Sequence, residues 1–437
     1  MTHDPVPENH VVVAAVQADG SFLVAWTRSM TYANGWRGEE FVAQAFDVNG
    51  LALGPLRVVD LRSSWTEGQA VALPDGRYAL AWSGDQGLRA QILDATGTPL
   101  GIPFPLTYEV GEGGDYLRFV ATENGYAALW VQRLTDSKAF RLRLYTRDGS
   151  PASDSILIAP STSSLPPDYS FGDLAPMPGG GLCVAWSEDS ADQQPATLTA
   201  QVLNQYGIAA TPRGVVVDTF SGAGGMYPHV VSNGDGSCTV LWMRSGVLAA
   251  RKLDASAHLG PVFYPTAVET YGLGFDVASD AHGHLWAAGG CANYLIGDLP
   301  HGLWFVDETG RQVSAPLDAI STRLATSSAL AANQWGGAVL AWIGNGTGYF
   351  NDHRDVFVRR FRSTCVPGGL HLCLGPSGRF ALDAVWHTPD GNQGPATPAP
   401  LRSDTGGFWF FSPSNVELLA KVLDGRAVND HFWVLWG

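Results

Sequence analysis

Residues 19–29 read DGSFLVAWTRS, a glycine turn followed by an apolar run that ends in a tryptophan. Five stretches repeat this phrase: DGRYALAWSGD (75–85), NGYAALWVQR (124–133), GGGLCVAWSED (179–189), DGSCTVLWMRS (235–245) and WGGAVLAWIGN (335–345). Their tryptophans are Trp26, Trp82, Trp130, Trp186, Trp242 and Trp342. The last interval is two units long, and DAHGHLWAAGG (280–290) fills it as a degenerate seventh unit. The chain is therefore built on a repeat of roughly fifty residues.

Each repeat contains four strand signals, which the first unit shows as HVVVAAVQ, SFLVAW, EFVAQAFD and PLRVVDL. An Asp-Gly pair, the favoured two-residue hairpin turn, separates the first two signals. The third signal closes on turns such as FDVNG and LDATG, whose Asp and Gly suit left-handed backbone positions. Repeats of this length and strand content predict an all-β fold, a β-propeller of seven four-stranded blades.

The tryptophan strands are apolar on both faces. In the first unit, Phe22 and Trp26 point to one side while Leu23 and Ala25 point to the other. A strand of this kind must be covered on both faces, as it is between two stacked blades. We therefore interpret the repeated tryptophans as core residues. Two cysteines inside such runs are expected to be buried inert thiols; they are Cys183 and Cys238.

Closure of the ring is left open by the sequence. The last unit supplies three strands, ending at DVFVRRFRST, and the first unit lacks a preceding strand of the PLRVVDL type. We expect the first blade to need a strand from elsewhere, either from STCVPGGLHLCL or from the N-terminal DPVPENH. An open arrangement and a six-bladed count are the alternatives.

From Cys365 the repeat stops, which predicts a propeller over residues 1–364 and a second domain over 365–437. Three strand signals follow: GRFALDAVW, GFWFFS with VELLAKVLD, and HFWVLW. A Pro/Gly-rich stretch, HTPDGNQGPATPAP, separates the first signal from the others. This pattern is typical of a small β-sandwich.

The second domain resembles a C-terminal β-module of secreted bacterial proteins. The matching residues are Cys365, LCL (372–374), GRF (378–380), Trp386 and DTGGFWFFSPSNVELLAKVLDGRAVNDHFWV (404–434). The resemblance implies an exported protein and a local Cys365–Cys373 disulfide, which fits an oxidising compartment. The propeller repeats are similar to extracellular bacterial repeats of the VAWxSxxxG…QRFDxxG kind. We therefore expect a secreted or cell-surface protein whose export signal was removed ahead of this numbering.

In that module a further strand follows the FWV segment, whereas the sequence here stops at Gly437. Two interpretations remain open. Either the polypeptide was truncated, or the sheet edge is left to be completed by a strand donated from another chain.

Charge and hydropathy exclude two classes of partner. The 437 residues carry a net charge of −15, and nucleic-acid binding needs a basic patch. No run of about eighteen apolar residues occurs, so no segment is expected to span a membrane.

Motifs for catalysis and metal binding are missing. SGDQGLRA (83–90) is only a fragment of the Asp-box of sialidase-like propellers. His282 and His284 lack a third ligand that the sequence can place, and NDHRD (351–355) is interpreted, like them, as a solvated loop. No cofactor or metal ion is expected.

Ligand binding is predicted from the loops. In a four-stranded blade, the tight turns share one face of the ring, and the variable loops share the other, where functional residues concentrate. These variable loops are rich in aromatic residues, which suit sugar rings and peptide surfaces. The candidate ligand-binding residues, expected around the channel opening, are Trp36, Trp65, Tyr116, Tyr169, Tyr227, Tyr271 and Tyr349.

Two functions fit these observations. The first is a non-catalytic binding or scaffold protein whose loop face holds a glycan or a protein partner. The alternative is a secreted polysaccharide-active hydrolase or lyase with carboxylates in the channel. The alternative requires two carboxyl groups about 5–10 Å apart beside an aromatic ring. The candidates are Asp115, Asp168, Asp173, Asp276 and Glu269.

Overall fold

The structure is a computed structural model. It describes residues 9–31, 37–62, 68–84, 87–107, 114–133, 138–160, 171–188, 196–211, 213–220, 227–244, 247–265, 275–280, 284–289, 302–306, 317–318, 325–333, 337–345, 354–362, 372–374, 380–402, 404–425 and 431–437. The chain divides into two compact units, Met1–Phe361 and Arg362–Gly437.

The first unit is built from consecutive antiparallel sheets, called blades one to seven here. Blade one contains β1 (Asn9–Val16), β2 (Phe22–Thr31), β3 (Arg37–Phe46) and β4 (Arg57–Arg62). Blade two contains β5 (Gly68–Ala72), β6 (Tyr78–Gly84), β7 (Gly87–Leu93) and β8 (Pro99–Pro105). Blade three contains β9 (Gly114–Thr122), β10 (Gly125–Arg133), β11 (Lys138–Thr146) and β12 (Ile156–Pro160).

Blade four contains β13 (Gly172–Pro176), β14 (Leu182–Glu188), β15 (Ala196–Leu203) and β16 (Val215–Phe220), with a short 3-10 turn at Pro178–Gly180. Blade five contains β17 (His229–Ser232), β18 (Cys238–Arg244), β19 (Val247–Leu253) and β20 (Leu259–Phe263). Blade six contains β21 (Phe275–Ser279), β22 (Leu285–Gly289), β23 (Gly302–Val306) and β24 (Leu317–Asp318). Blade seven shows β25 (Ala325–Ala332), β26 (Gly337–Asn345) and β27 (Arg354–Arg362) among the described residues.

The tight turns within the blades form where the sequence has Asp-Gly pairs. In the Asp-Gly turn of blade one, Gly20 has a φ of 89°, and the Asp19 carboxylate accepts a hydrogen bond of 2.8 Å from the Ser21 amide. Blade five repeats both features with Gly236 at 84° and Asp235. Only glycine adopts such a backbone conformation without cost, so the repeated Asp-Gly is a requirement of the turn.

The seven first strands form a closed ring. Each of β1, β5, β9, β13, β17, β21 and β25 contacts the next, and β25 contacts β1. The first unit is therefore a seven-bladed β-propeller, and neither the open arrangement nor the six-bladed count applies. The expectation that blade one needs a strand from elsewhere is wrong, because β1 to β4 are consecutive and complete its sheet.

Blades seven and one meet at a seam that is packed with apolar side chains. Val12 and Val24 of blade one share a buried cluster with Ala329, Val339 and Ile343 of blade seven. The Asn333 side chain adds a hydrogen bond of 3.2 Å to the backbone carbonyl of Gln17. Side-chain contacts thus close the ring at this point.

The repeated tryptophans are core residues, as predicted. The nearly or fully buried ones are Trp82, Trp130, Trp186, Trp242, Trp286 and Trp342, while Trp26 is partly buried. Two of them also bond to the outermost strand of the preceding blade. The indole Nε1 of Trp82 donates to Asp60 at 2.7 Å, and that of Trp242 donates to Asp218 at 2.9 Å. In these two cases the indole fills the space between neighbouring blades, and its hydrogen bond connects the two blades.

The interpretation of Cys183 and Cys238 as inert thiols is wrong. They form a disulfide with a Cα–Cα distance of 6.4 Å, and both are fully buried. Each lies near the start of the second strand of its blade, β14 and β18. The packing of blades four and five brings these equivalent positions together, so the disulfide joins two neighbouring blades.

The second unit is a small β-sandwich. Its main sheet has β32 (Thr397–Arg402), β33 (Thr405–Trp409), β34 (Leu418–Gly425) and β35 (His431–Trp436) in that order. Two hairpins precede it: β28 (Leu372–Leu374) with β29 (Phe380–Leu382), and β30 (Val385–His387) with β31 (Gln393–Pro395). The predicted single strand GRFALDAVW is thus divided between two hairpins. The buried core of the unit comprises Leu372, Leu374, Ala396, Phe408, Ala420 and Val422.

Two sequence predictions concern this unit. Cys373 is disulfide-bonded, whereas its predicted partner Cys365 lies outside the described residues. Among the described strands, β35 pairs with β34 alone, so it is an edge of the sheet. Completion of that edge by a strand from another chain stays a prediction.

Candidate functional site

The strand registers define one equivalent position on each first strand, the residue that pairs across from the position before the repeated tryptophan. We call these seven positions the inner row. In blades one to seven they are Val13, Gln69, Arg118, Asp173, His229, Asp276 and Ala329. In blade six, Gly289 stands at the register position that the tryptophan holds in the other blades, because Trp286 lies earlier in its strand. Five consecutive blades, two to six, thus place a polar side chain at this position.

The inner row lies near the beginning of the first strands. Asp173 and Asp276 are the second residues of β13 and β21, and His229 is the first residue of β17. The connections between blades enter at this end of the strands. The polar side chains therefore belong to the variable-loop face of the ring.

Arg118 and His229 both contact Asp173, so the three side chains connect three consecutive blades. Arg118 Nε lies 3.4 Å from Asp173 Oδ1, and His229 Nδ1 lies 3.7 Å from Asp173 Oδ2. The three side chains are only 13–19% exposed. A charged guanidinium and a carboxylate are therefore held together in a mostly buried setting.

Both aspartates of the inner row also bind the backbone of the next blade. Asp173 Oδ2 accepts a hydrogen bond of 2.8 Å from the Val230 amide. Asp276 Oδ2 accepts one of 2.6 Å from the Leu330 amide, and its Oδ1 accepts another of 2.9 Å from the Val277 amide. Each carboxyl group thus links its own blade to the following one.

Burial shifts the pKa values of these groups. Burial raises the pKa of Asp173 to about 6, although the Arg118 charge opposes this shift. Burial likewise raises the pKa of Asp276 to about 7, against the hydrogen bonds from Leu330 and Val277. Burial and then the Arg118 charge lower the pKa of His229 to about 3. Near neutral pH the site therefore holds a cationic arginine, a neutral histidine and two carboxyl groups that can change charge.

An aromatic column stands beside these polar groups. The ring centroid of Phe171 lies 5.3 Å from that of Tyr116 and 4.0 Å from that of Tyr227. The Arg118 guanidinium lies 4.2 Å from the Tyr116 ring centroid and donates a hydrogen bond of 2.8 Å to its hydroxyl. All three rings are partly exposed. Rings and hydrogen-bonding groups therefore share one surface.

The position of Tyr116 depends on an irregularity in β9. Leu129 pairs with Arg118 and Val131 pairs with Asp115, so two residues on β9 oppose the single residue Trp130. Tyr116 has a φ of 58°, a left-handed conformation that is rare for a non-glycine residue. A bulge of this kind redirects a side chain, and such strain is concentrated at functional sites.

The structure places only some of the predicted site residues. Tyr116 and Tyr227 come together through Phe171, and Asp173 and Asp276 both belong to the inner row. The backbone of Asp115 lies in β9 opposite Val131. The remaining candidates lie outside the described residues: Trp36, Trp65, Asp168, Tyr169, Glu269, Tyr271 and Tyr349.

Sequence reasoning missed Arg118, His229 and Phe171. A signal was present for the first two. His229 stands thirteen residues before Trp242, as Asp173 stands thirteen before Trp186. Arg118 stands one residue closer to its tryptophan because its hairpin is shorter. Aligning the repeats on tryptophan and inspecting that offset would have found the polar row.

Other residues considered from the sequence have structural surroundings. His284 is not solvated but nearly buried, and its Nδ1 lies 2.7 Å from the Asp280 carboxylate. His282 and residues 351–353 lie outside the described residues. The described parts of SGDQGLRA belong to strands β6 and β7. In the described residues, no group of three or more side chains could hold a metal ion.

No family model and no curated protein matches the sequence. Solved structures with a similar chain trace include a prolyl endopeptidase (11% identity, TM-score 0.47, 90% of this chain and 53% of the other). Prolyl oligopeptidase B from Galerina marginata gives 12% identity and a TM-score of 0.49, over 90% of this chain and 55% of the other. An α-L-arabinofuranosidase from Fusarium graminearum gives 10% and 0.39, over 82% and 94%. The chain thus spans about half the length of the two prolyl peptidases.

None of the helical structure in the described residues is long and apolar enough to cross a membrane.

Proposed function

We propose that the protein is a secreted bacterial binding protein whose propeller holds a glycan at the variable-loop face. The observation that carries the proposal is the aromatic column Tyr116–Phe171–Tyr227 beside the polar inner row. A sugar presents an apolar ring face and a rim of hydroxyl groups, which match aromatic rings and a set of charged or amide side chains. A protein partner at the same face is an outcome of the test below.

Two features support export. Cys183 and Cys238 are joined by a disulfide, and disulfides persist mainly in oxidising compartments. The resemblance of residues 365–437 to a module of secreted bacterial proteins points the same way. Mass spectrometry of the protein from its native source, without reduction, is the direct check on this part of the proposal.

Binding is favoured over catalysis by the hydrogen bonding of the carboxyl groups. Asp173 is held by Arg118 and by the Val230 amide, and Asp276 is held by two amides. Groups held in this way serve the architecture of the ring and present fixed acceptors to a ligand. Their carboxyl oxygens keep further acceptor positions for the hydroxyl groups of a ligand.

One observation favours hydrolysis as a second candidate function. The pKa of Asp276 is raised to about 7, and a carboxyl group with such a pKa can act as a general acid at neutral pH. The Asp173 charge contributes to that shift, so the two carboxyl groups influence each other electrostatically. Two interacting carboxyl groups are what glycoside hydrolysis uses.

A glycan array combined with turnover assays on every glycan that binds separates these functions. We expect binding without turnover. Tyr116→Ala and Tyr227→Ala should each weaken binding by about 1–3 kcal/mol, since stacking losses are of that order. Tyr206→Ala is the matched control, because Tyr206 is 68% exposed in a tight turn at the other face. Turnover that Asp276→Asn abolishes would assign the hydrolase, and capture of a protein in place of any glycan would replace the ligand class.

A further inference from the structure

We infer that the tight-turn face of the ring has a second binding site, a pocket between blades two and three that takes a small carboxylate with a short aliphatic chain. This site is separate from the glycan site, because the inner row lies at the variable-loop face. Every residue that lines the pocket belongs to the described ranges.

The pocket lies between the tight turn of blade two, residues 73–77, and two tight turns of blade three. Its volume is about 90 Å³. Apolar and charged side chains line it, among them Leu73, Pro74, Ala121, Tyr126, Arg77 and Arg147. An apolar cavity of about 150 Å³ holds one benzene ring, so this smaller pocket suits a short aliphatic chain better than an aromatic ring.

A buried hydroxyl group faces this pocket. Tyr126 is only 2% exposed, and its ring stacks on Phe119 at a centroid distance of 5.3 Å. Its hydroxyl group has no hydrogen-bond partner among the described residues. Burial raises the pKa of Tyr126, and the charges of Arg77, Asp75 and Arg147, which all line the pocket, act on the same hydroxyl group. Buried hydroxyl groups are normally hydrogen-bonded, so this one points to a group that binds in the pocket.

The repeat explains why this hydroxyl group lies between two blades. Tyr126 and Cys238 each stand four residues before the repeated tryptophan of their blade. In blade five this position faces the preceding blade, because Cys238 is joined to Cys183 of blade four. In blade three, Tyr126 shares a buried cluster with Leu73 of blade two. The Tyr126 side chain therefore extends from its own blade to the tight turn of the preceding one.

The two arginines of the pocket differ in their partners. Arg77 is compensated, since its Nε and one terminal nitrogen donate to the Asp75 carboxylate at 2.8 and 2.6 Å. The exposed Arg147 donates to the backbone carbonyl of Glu123 at 2.8 Å and has no carboxylate partner among the described residues. The Glu123 carboxylate accepts a hydrogen bond of 2.9 Å from the Gly179 amide of blade four. Arg147 thus keeps donors for a negatively charged ligand.

A short aliphatic carboxylate satisfies both kinds of group. Its oxygens accept hydrogen bonds from the Arg147 guanidinium and the Tyr126 hydroxyl, and arginine suits a carboxylate because its donors form a planar fork. Its chain covers the apolar surface of Leu73, Pro74 and Ala121. Burial of that surface adds to the affinity.

The test compares isovalerate with its neutral amide, isovaleramide, by ligand-observed NMR on the full chain. The two probes have the same size, so they differ chiefly in charge. We expect dissociation constants in the millimolar range, as for other ligands of so few atoms. Isovalerate should bind about five- to tenfold more tightly, because its hydrogen bonds are charge-assisted. The net charge of −15 disfavours anions in general, so this preference reports the pocket itself.

Tyr126→Phe removes only the hydroxyl group and leaves the ring on Phe119. It should weaken isovalerate binding about fivefold or more, which is the size of one hydrogen bond to a charged group. Tyr78→Phe is the matched control, because Tyr78 holds the same position in blade two, is fully buried and does not line the pocket. This control should bind isovalerate as the wild type does. Thermal melting of both variants establishes that they are folded.

Arg147→Gln tests the charge. It should lower the affinity for isovalerate to that for isovaleramide, while the affinity for the amide stays the same. Arg213→Gln is the control for the loss of one positive charge, because Arg213 is an exposed residue of blade four that does not line the pocket. It should keep the full preference for isovalerate.

The outcomes separate this site from the proposed function. Equal affinity of the wild type for the two probes would overturn the inference, and so would the failure of both to bind. A preference that survives in Arg147→Gln, or equal effects of Tyr126→Phe and Tyr78→Phe, would also overturn it. Glycan binding should be the same in all four variants, so each proposal can fail without the other.

Discussion

Trp82 and Trp130 hold equivalent places in the repeat, yet their indole groups are satisfied differently. Trp82 donates to Asp60 on the outermost strand of the preceding blade. Leu106 occupies the corresponding place before blade three, and the buried Trp130 Nε1 has no hydrogen-bond partner among the described residues. Both rings are fully buried, the Trp82 ring beside Phe41 and the Trp130 ring 5.9 Å from the Arg143 guanidinium.

Replacing each tryptophan by phenylalanine keeps an aromatic ring at both positions and removes the indole N–H group. Both changes leave a similar void, but only Trp82→Phe removes a hydrogen bond to a carboxylate. We expect Trp82→Phe to cost about 1–3 kcal/mol more than Trp130→Phe in the free energy of unfolding. Urea denaturation of the two variants measures the difference. Equal losses would show that the bond contributes nothing to stability.

Asp276 makes stability depend on pH. Its folded-state pKa of about 7 lies above the ordinary value of 3.8, so the folded protein holds the proton more tightly. The contribution of this proton to the free energy of unfolding is fully present below about pH 4, and it is lost as the pH rises through about 7. Relative to the wild type, Asp276→Asn should therefore gain on the order of 1–3 kcal/mol between about pH 4 and about pH 8.

Asp254 provides the opposite case for comparison. The hydrogen bond from the His258 amide is the largest of several interactions that lower the pKa of Asp254 below the ordinary value. Its contribution is present above about pH 4 and is lost on acidification, so Asp254→Asn should change with pH in the other direction. Denaturant unfolding at several pH values tests both variants. Parallel profiles for Asp276→Asn and the wild type would contradict the raised pKa.

At the residue level, the sequence predicts burial well and partnership poorly. The burial of the tryptophans follows from apolar character on both strand faces, which is a local property. The pairing of Arg118 with Asp173, or of Tyr116 with Phe171, depends on which blades become neighbours and on a bulge in β9. The spacing of the residues in the sequence predicts neither of these two pairings.

At the level of strands and turns, the Cys183–Cys238 disulfide is a covalent connection between two neighbouring blades. The two cysteines are 55 residues apart in sequence, and they join the second strands of blades four and five. A crosslink over a loop of this length removes conformational freedom from the unfolded chain.

Replacing both cysteines by alanine should therefore destabilise the propeller. The expected loss is about 4 kcal/mol in the free energy of unfolding, which lies within the range for loops of this size. Calorimetry of the double variant without reductant measures it while leaving Cys373 oxidised. An unchanged melting temperature would mean that packing alone holds blades four and five together.

Strands and tight turns were the most predictable elements because their signals are short-range. Alternating apolar runs fix the strands, and Asp-Gly or Asp-x-x-Gly fixes the turns through φ and through side-chain acceptors such as Asp19. The disulfide could not be predicted in the same way. Its two cysteines meet only when equivalent strands of adjacent blades are packed together.

At the level of the whole molecule, the ring is chemically uneven. The inner row is polar from blade two to blade six, whereas blades seven and one contribute the buried Ala329 and Val13. The repeat count predicted seven blades, but the mode of closure was predicted wrongly. Closure depends on how the first and last blades pack, and that information is spread over many apolar residues rather than held in a motif.

At the seam between blades seven and one, the ring is closed by noncovalent side-chain contacts. Elsewhere the chain itself runs from each blade to the next, and at blades four and five a covalent crosslink is added. At the seam, no described strand is shared, and adhesion rests on Val12, Val24 and their partners with the Asn333 bond. Under mechanical load the ring should open first at this seam. Blades four and five, on the opposite side of the ring, should stay joined by the Cys183–Cys238 disulfide.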